Sequence, residues 1–269
     1  MLLRSVAWRE GDGAPAGHPF DVPVVRALAA APLAFTTPAT FLVGENGTGK
    51  STLLEAIACA AEVPAAGALP TARDPSLAAA RALADRLRLT WSRRSRAGAF
   101  VRAEDVFGFA QSVDRSRAES EAEIAAIRAD PALSPRQRGF AAMPHAREAA
   151  ALRERYGDGL DARSHGEAFL TLLAPRLAAG GLLLLDEPEA PLSPTRQLTL
   201  LSLLMAAAAS GRAQLVVATH SPIVMALPGA TILLLGDGPA RPVAWADVEH
   251  VRVTRDFLNA PETFLRHLG

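Results

Sequence analysis

The feature that most constrains this chain is an eight-residue segment that fits the pattern G-x-x-x-x-G-K-S: Gly44-Glu45-Asn46-Gly47-Thr48-Gly49-Lys50-Ser51. Residues 40–43 before it are apolar and β-prone, and residues 51–57 after it have the apolar spacing of a helix. A strand, a glycine-rich loop and a helix in this order form the context in which the pattern binds phosphate. A glycine-rich turn without a ligand is the structural alternative, and the flanking elements argue against it.

Each residue type in this segment has a chemical reason to bind a polyphosphate. Glycines let the loop wrap with its N–H groups turned inward, and the helix that starts near Gly49 adds the positive end of its dipole. Lys50 would neutralise the β- and γ-phosphates, and the hydroxyl of Ser51 would ligate Mg²⁺. The sequence therefore predicts a site for ATP and Mg²⁺ formed by Gly44, Glu45, Asn46, Gly47, Thr48, Gly49, Lys50, Ser51 and Thr52.

Lys50 is the only lysine in the chain, and all other residues in the combined lysine and arginine count of 28 are arginines. Wherever a general positive charge suffices, the sequence uses a planar guanidinium. Chance survival of one lysine is the simple explanation. Its place inside the loop instead suggests that position 50 needs a compact ammonium.

Two adjacent carboxylates follow a second apolar stretch, the four leucines of residues 182–185. Ligands bind at the carboxyl ends of parallel strands. Asp186 is suited to hold Mg²⁺, directly or through water, and Glu187 to polarise an attacking water as general base. Taken alone, the pattern would also fit a buried strand that meets solvent.

A third apolar stretch, residues 214–218, ends in a hydroxyl and an imidazole, those of Thr219 and His220. A histidine in this position would hydrogen-bond the γ-phosphate or the catalytic water. The alternative is a surface histidine that caps a helix at Pro222. Because the other two strand ends carry site residues, we predict a catalytic role for His220 together with Lys50 and Glu187.

The order of apolar strands and helices predicts one α/β domain over residues 1–269, with a largely parallel central sheet flanked by helices and an antiparallel β element. Strands are expected at 40–43, 87–91, 99–102, 182–185, 214–218 and 231–235. Helices are expected near 76–85, at 166–178 and 194–209, and as two short segments within 245–268. Residues 104–163 predict an inserted helical lobe with breaks at Pro131, Pro135, Pro144 and the Gly157-Asp158-Gly159 turn. Residues 93–96 predict an exposed hairpin turn.

Together these motifs resemble the ABC-type ATPase family, in which they are the Walker A loop, the Walker B strand and the switch histidine. The predicted fold is accordingly that of a P-loop NTPase, and the likeness is closest to soluble, stand-alone members. Ser164-His165-Gly166-Glu167 is similar to that family's signature motif, usually Ser-Gly-Gly-Gln. The resemblance implies that Ser164 and the Gly166 N–H cover the γ-phosphate bound to a second protomer. Ser164 also suits a helix N-cap, with Glu167 completing a capping box, and the two roles are compatible.

Several positions depart from the family pattern. The usual Ser-Ala-Leu-Asp loop after Glu187 is Ala-Pro-Leu-Ser at residues 190–193, and Ser193 before Pro194 suits a helix N-cap. For the glutamine that senses Mg²⁺ in the family, the candidate is Glu104 in preference to Gln111. No aromatic residue near the amino terminus is assigned to stacking on adenine, although Phe20 is one candidate.

Composition limits the location and the partners of the chain. Basic and acidic residues number 28 each, so no global field attracts nucleic acid or anionic lipid. The single Cys59 cannot form an intramolecular disulfide, and residues 1–9 lack a secretory signal, which favours the cytoplasm. The longest nearly apolar run, residues 198–209, is too short to cross a bilayer.

Three functions remain in consideration, and the first is an ATPase that dimerises head to tail on binding ATP and opens on hydrolysis. The second is the nucleotide-binding subunit of a membrane transporter, which the Ser-His-Gly-Glu segment does not favour. The third is an ATP-gated DNA-handling module like the heads of SMC and RecF-type proteins, with a basic patch of Arg88, Arg102 and residues 93–96. A small-molecule kinase is a poorer alternative, because Glu187 points to water as the phosphoryl acceptor.

Overall fold

The computed structural model describes residues 1–9, 15–65, 71, 74–95, 97–156 and 165–267, with the backbone alone for 104–114, 155–156 and 165. The strands are β1 Leu3–Trp8, β2 Leu33–Ala34, β3 Ala39–Val43, β4 Leu87–Trp91, β5 Gly98–Arg102, β6 Gly181–Asp186, β7 Ala213–Ala218, β8 Thr231–Leu234 and β9 Arg241–Pro242. The helices are α1 Pro23–Ala30, α2 Lys50–Ala61, α3 Ala78–Ala84, α4 Ala103–Ala129, α5 Pro135–Tyr156, α6 His165–Ala179, α7 Pro194–Ala209, α8 Glu249–Asn259 and α9 Pro261–Leu265.

A six-stranded sheet with the order β5-β6-β7-β3-β8-β9 forms the centre of the molecule. Its first five strands run parallel, and the short β9 pairs antiparallel with β8. The predicted α/β class with a largely parallel sheet is confirmed. Because β3, β6 and β7 are neighbours, the three sequence motifs that follow them meet at one edge of the sheet.

The central sheet is covered on both faces, which explains why its strands are apolar without alternation. In β6, Leu183 and Leu185 join the core formed with α6 and α7. Leu182 and Leu184 face the other core, which contains α2 and the amino-terminal strands. All six residues of β6 are buried, so its last residue, Asp186, ends a strand that is shielded from water.

A smaller antiparallel sheet, β2-β1-β4, packs beside the second core. The side chain of Gln214, fully buried in β7, joins this sheet to the central one. Its Oε1 accepts hydrogen bonds from the N–H groups of Leu2 (2.7 Å) and Leu3 (2.8 Å), and its Nε2 donates to the carbonyl of Leu3 (2.8 Å). A buried amide with three partners links the amino terminus to a central strand.

The turn predicted at residues 93–96 is not a hairpin. β4 pairs with β1 in the antiparallel sheet, whereas β5 pairs with β6 in the parallel sheet, so the segment between them connects two sheets. The difference follows from burial: β4 is covered on one face only, while the last four residues of β5 are all buried.

The helices α4 and α5 occupy the region predicted as a helical lobe. They contact each other through a hydrogen bond between Ser120 and Glu148 (3.3 Å) and an ion pair between Arg153 and Glu121 (3.1 Å). The predicted break at residues 131–135 is present, but α5 continues through Pro144, where a break was wrongly expected. The turn predicted at residues 157–159 lies outside the described residues. Pro144 lies on an exposed surface, where water can bond the carbonyl that loses its helical partner. Among the described helices, none is both long enough and apolar enough to span a membrane.

Candidate nucleotide-binding site

The loop after β3 has the backbone geometry that its glycines predict. Gly44, Gly47 and Gly49 have φ values of 156°, 83° and 91°, a region that favours glycine. Side chains at two of them would also collide with their surroundings. A Cβ at Gly44 would lie 2.6 Å from the Leu235 carbonyl oxygen, and one at Gly49 would lie 2.8 Å from a methyl group of Val22. The neighbouring segments therefore require glycine at both positions.

Lys50 begins α2, and its side chain folds back across the loop. It is 5% exposed, and Nζ donates hydrogen bonds to the carbonyls of Gly44 (2.8 Å) and Glu45 (2.9 Å). Burial lowers the pKa of the Lys50 ammonium, and the nearby carboxylates of Glu187, Asp186 and Glu189 oppose this shift. A cation with few water contacts is thus held beside three acids.

Ser51 and Asp186 are in direct contact, since the Ser51 hydroxyl donates to Asp186 Oδ1 over 3.1 Å. The two residues come from the first turn of α2 and the end of β6. A hydroxyl and a carboxylate are hard oxygen ligands of the kind that Mg²⁺ prefers, with phosphate and water completing the shell. Their chemistry fits the predicted metal. The described residues contain no cluster of three His, Cys, Asp or Glu side chains that could hold an ion alone.

Glu187 leaves the strand with φ of 45°, in the left-handed region, while its N–H donates to the Ala218 carbonyl at the end of β7 (2.9 Å). This turn separates the two adjacent carboxylates. Asp186 is directed to Ser51, and Glu187 Oε1 lies 3.7 Å from Nε2 of His220. The Glu187 side chain is 48% exposed, so water can reach the predicted base.

His220 contacts a residue that the sequence did not identify. Its Nδ1 lies 2.9 Å from Nε2 of His250 on α8, with ring centroids 4.6 Å apart. Its Nε2 is buried and has no hydrogen-bond partner among the described residues. Burial, followed by the charges of Lys50 and His250, lowers the pKa of His220, and Glu187 opposes them. The alternative prediction, a histidine that caps a helix at Pro222, does not account for this contact, because the His220 ring packs against His250 on α8.

Glu189 is a second residue that sequence reasoning missed. Its Oε1 accepts hydrogen bonds from the N–H groups of His220 (2.8 Å) and Ser221 (3.1 Å). The same segment is held from α7, where Gln197 accepts a hydrogen bond from the Ser221 hydroxyl (2.6 Å). Glu189 therefore connects the turn after β6 to the turn after β7. In the sequence, only its position two residues after Glu187 indicated that it could lie near the site.

Two cavities border the loop. One, of about 790 Å³, is lined by residues 44–48, 234–239, Arg241 and 248–250, together with Pro23. The other, of about 730 Å³, is lined by Glu45, Asn46, Glu187, His220, Glu249, His250, Val253 and Thr254. Both volumes fall within the range of about 300–1,000 Å³ for small-molecule sites. The α8 helix contributes to both, so this carboxy-terminal helix forms a wall of the candidate site.

The signature-like segment is described only in part, because Ser164 and the His165 side chain lie outside the described residues. A Cβ at Gly166 would lie 2.9 Å from the carbonyl oxygen of Pro191, so this position needs glycine for packing. Glu167 forms an ion pair with Arg196 at the start of α7. The role of Ser164 and Gly166 toward a second protomer stays a prediction.

Other predicted positions have mixed outcomes. Thr52 lies in the first turn of α2, half-buried. Phe20 is half-buried and packs edge-on against Trp8, with centroids 6.3 Å apart, so its role toward adenine stays a prediction. The Glu104 side chain lies outside the description, and its metal role also stays a prediction. Ser193 occupies the N-cap position of α7, but its side chain makes no capping hydrogen bond.

Arg102 was wrongly placed in an exposed basic patch. It is 7% exposed and bonds Glu55 (3.1 Å) and Asp74 (3.3 Å). The reason is its position at the end of β5, in register with Asp186, where a strand end is enclosed by neighbouring elements. Arg88 and Arg93 are exposed, but Arg102 does not contribute to a basic patch on the surface.

Comparisons with known proteins agree with the motifs. A family model described as "AAA domain, putative AbiEii toxin, Type IV TA system" matches residues 168–226, just over a fifth of the chain. A sequence search of curated proteins finds no match. The chain is similar to this family over a segment that contains β6 and β7 together with Asp186, Glu187 and His220.

Solved structures with similar folds include ABC proteins and an SMC head. An ATP-binding cassette of an ABC transporter is 16% identical, with a TM-score of 0.49 over 96% of this chain and 97% of that one. The cbiO1 protein of the cbiONQ transporter complex from Clostridium perfringens is 16% identical, with a TM-score of 0.46 over 97% and 96%. The SMC head domain from Thermotoga maritima is 16% identical, with a TM-score of 0.44 over 90% and 98%.

Proposed function

We propose that this chain binds ATP with Mg²⁺ and hydrolyses it to ADP and phosphate. The observation that carries the proposal is the contact between Ser51 and Asp186, with the Lys50 ammonium beside them at the mouth of the glycine loop. This arrangement brings the glycine loop, a cation and two hard-oxygen side chains to one edge of the sheet, and it supports the proposal because phosphoryl transfer uses such groups. Each is a recurring component of phosphoryl transfer.

The loop supports binding of the triphosphate through its backbone. Glycines at positions 44, 47 and 49 let the chain curve before α2, whose N-terminus carries a partial positive charge. Lys50 now bonds two loop carbonyls, and on binding it would transfer these hydrogen bonds to phosphate oxygens. Mg²⁺, held by Ser51 and Asp186 with Glu104 as a further candidate, would supply charge neutralisation at the phosphates.

Glu187 is the proposed general base for hydrolysis. Its carboxylate takes a proton from water as the water oxygen attacks the γ-phosphorus, and the bond to the β–γ bridging oxygen breaks, which leaves ADP. Nε2 of His220 faces Glu187 and is unoccupied by any described partner, so it is available to donate a hydrogen bond to a γ-phosphate oxygen. Lys50 and His220 would stabilise the negative charge that develops on the transferred group.

We further propose that ATP closes a head-to-tail homodimer. Each site would combine the glycine loop of one copy with Ser164 and Gly166 of the other, as the resemblance to ABC-type ATPases implies. The Glu187 side chain is half-exposed and therefore accessible to a second copy. Hydrolysis would remove the shared γ-phosphate and open the dimer.

The test is phosphate release by purified protein with MgATP, compared with ATP plus a chelator. We expect turnover to require Mg²⁺ and to fall about 10²-fold or more in Asp186→Asn, because the metal site loses a charged ligand. Glu62→Gln, at the opposite end of α2, serves as the control and should match the wild type. A folded protein that neither binds MgATP nor releases phosphate would overturn the proposal.

A further inference from the structure

The contact between His220 and His250 bears on the orientation and protonation of the proposed catalytic histidine. The two nitrogens at 2.9 Å, His220 Nδ1 and His250 Nε2, are within hydrogen-bonding distance. Between two neutral imidazoles only one nitrogen can supply the hydrogen and the other must accept it. The direction of this bond therefore decides which nitrogen of His220 carries its proton.

The surroundings of His220 favour one direction. Glu187 Oε1, an acceptor, lies 3.7 Å from Nε2 of His220, which places a negative charge on the side of that nitrogen. Nε2 is also the buried ring nitrogen without a described partner. Burial and the Lys50 charge lower the pKa of His220, which favours a neutral ring with a single N–H. A proton on Nε2 turns the positive end of the N–H bond toward the Glu187 carboxylate and leaves Nδ1 as the acceptor.

His250 is placed firmly enough to act on His220. It follows the first residue of α8, between Val248 and Val251, which are 3% and 2% exposed and anchor the helix on the core. On the other side, Glu189 holds the main chain of His220 by accepting its N–H. The main chain at both histidines is thus held by contacts outside the pair.

We propose that His250 is a positioning residue that donates its Nε2–H to Nδ1 of His220, and so holds His220 in the tautomer with the proton on Nε2. This inference rests on the proposed ATPase function for its catalytic consequence. Nε2 of His220 then carries a hydrogen-bond donor on the side that faces Glu187, the proposed general base. A third group that fixes the tautomer of a catalytic imidazole is a general device in enzymes.

Two measurements test the proposal, and the first does not depend on activity. Two-bond ¹H–¹⁵N NMR spectra of the ligand-free protein distinguish the tautomers by their nitrogen shifts, with His220→Asn used to assign the ring. We expect His220 to carry its proton on Nε2 in the wild type and to lose this preference in His250→Ala. His267→Ala, which removes an exposed histidine from the carboxy-terminal end, is the control and should leave the His220 signals unchanged.

The second measurement is steady-state hydrolysis of MgATP. We expect His250→Ala to lower kcat about 10- to 100-fold, with KM for ATP changed less than about threefold, because the effect lies in orientation rather than in binding. His250→Gln keeps a donor near the position of Nε2 and should recover most of kcat. A His220 ring protonated on Nδ1 in the wild type, or a His250→Ala variant with unchanged kcat and tautomer, would overturn the proposal.

The two proposals fail in different ways. If the NMR result is as expected but no variant hydrolyses ATP, the histidine pair stands and the ATPase proposal fails. If the wild type hydrolyses ATP and His250→Ala is unaffected in both assays, the ATPase proposal stands and the role of His250 fails.

Discussion

The Ser51 hydroxyl donates a hydrogen bond to the Asp186 carboxylate over 3.1 Å, although 135 positions separate the two residues in the chain. The contact joins the first turn of α2 to the end of β6. Since β3 and β6 both flank β7 in the parallel sheet, their loops reach the same edge. The two motifs that the sequence predicts for phosphate and metal are therefore in direct contact.

Replacing Glu187 by glutamine should separate binding from hydrolysis. Glutamine cannot accept the proton of the attacking water, so we expect turnover to fall about 10²-fold or more while ATP affinity is retained. Under the proposed mechanism, an ATP-bound dimer should accumulate, which light scattering after size-exclusion chromatography would detect. A variant that remains monomeric in saturating MgATP would contradict the dimer, and Glu62→Gln is the matched control.

The single lysine makes a direct chemical test of the loop possible. Reductive methylation can modify only two amines in this sequence, the amino terminus and Lys50. We expect MgATP to slow the labelling of Lys50 about 10-fold or more, because bound phosphates would cover Nζ, and to leave the amino terminus unaffected. Peptide mass spectrometry measures both sites, with adenosine plus Mg²⁺ as the control. Equal labelling of Lys50 with and without saturating MgATP would contradict phosphate contact.

Arg102→Met should destabilise the protein. It should change the charge of the exposed surface little, because Arg102 is buried. The substitution leaves the carboxylates of Glu55 and Asp74, which are about one-fifth exposed, without this cation. We expect the free energy of unfolding to fall by about 2 kcal/mol, less than for a fully buried pair. Urea denaturation measures the change.

Arg94→Met is the matched control for that experiment. Its ion pair with Glu62 is largely exposed, with side chains 64% and 82% accessible, so the same substitution should change the unfolding free energy by about 0.5 kcal/mol or less. Equal effects of the two substitutions would show that burial of Arg102 does not matter for stability.

The pH dependence of stability should report the environment of His220. Because the pKa of His220 in the folded chain lies below its ordinary value of 6.5, the unfolded chain binds a proton first as the pH falls. The free energy of unfolding should therefore decrease as the pH is lowered through and below 6.5. His220→Asn removes this titration, so its decrease between pH 7.5 and 5.5 should be smaller than in the wild type. Identical slopes in chemical denaturation would contradict the shifted pKa, and His267→Asn serves as the control.

The central sheet and its loops could be predicted from sequence because each signal was local. Residues 40–43, 182–185 and 214–218 are largely apolar runs of strand length, and each leads directly into residues of the candidate site. Parallel pairing then brings those ends together without further information. Lys50, Ser51, Asp186, Glu187 and His220 were identified in this way, and the structure places them together.

The missed elements depend on tertiary contacts or on broken periodicity. In β1 the buried residues Leu3 and Val6 are three apart, because the register shifts between Leu3 and Ser5 and interrupts the alternation that marks a strand. His250 stands alone in a polar helix, and only the packing of α8 beside the end of β7 brings it to His220. Glu189 was missed for the same reason, because the N–H groups that it binds, those of His220 and Ser221, belong to the turn after another strand.

The bonds that Gln214 makes with Leu2 and Leu3 have a consequence for how the protein opens. Backbone amides exchange with deuterium when the structure that holds their hydrogen bonds opens. Here the amides of Leu2 and Leu3 donate to a fully buried side chain on the strand that leads to His220, so they become protected only when the middle of the central sheet is intact. Exchange at the second and third residues thus reports on β7, the strand that leads to His220.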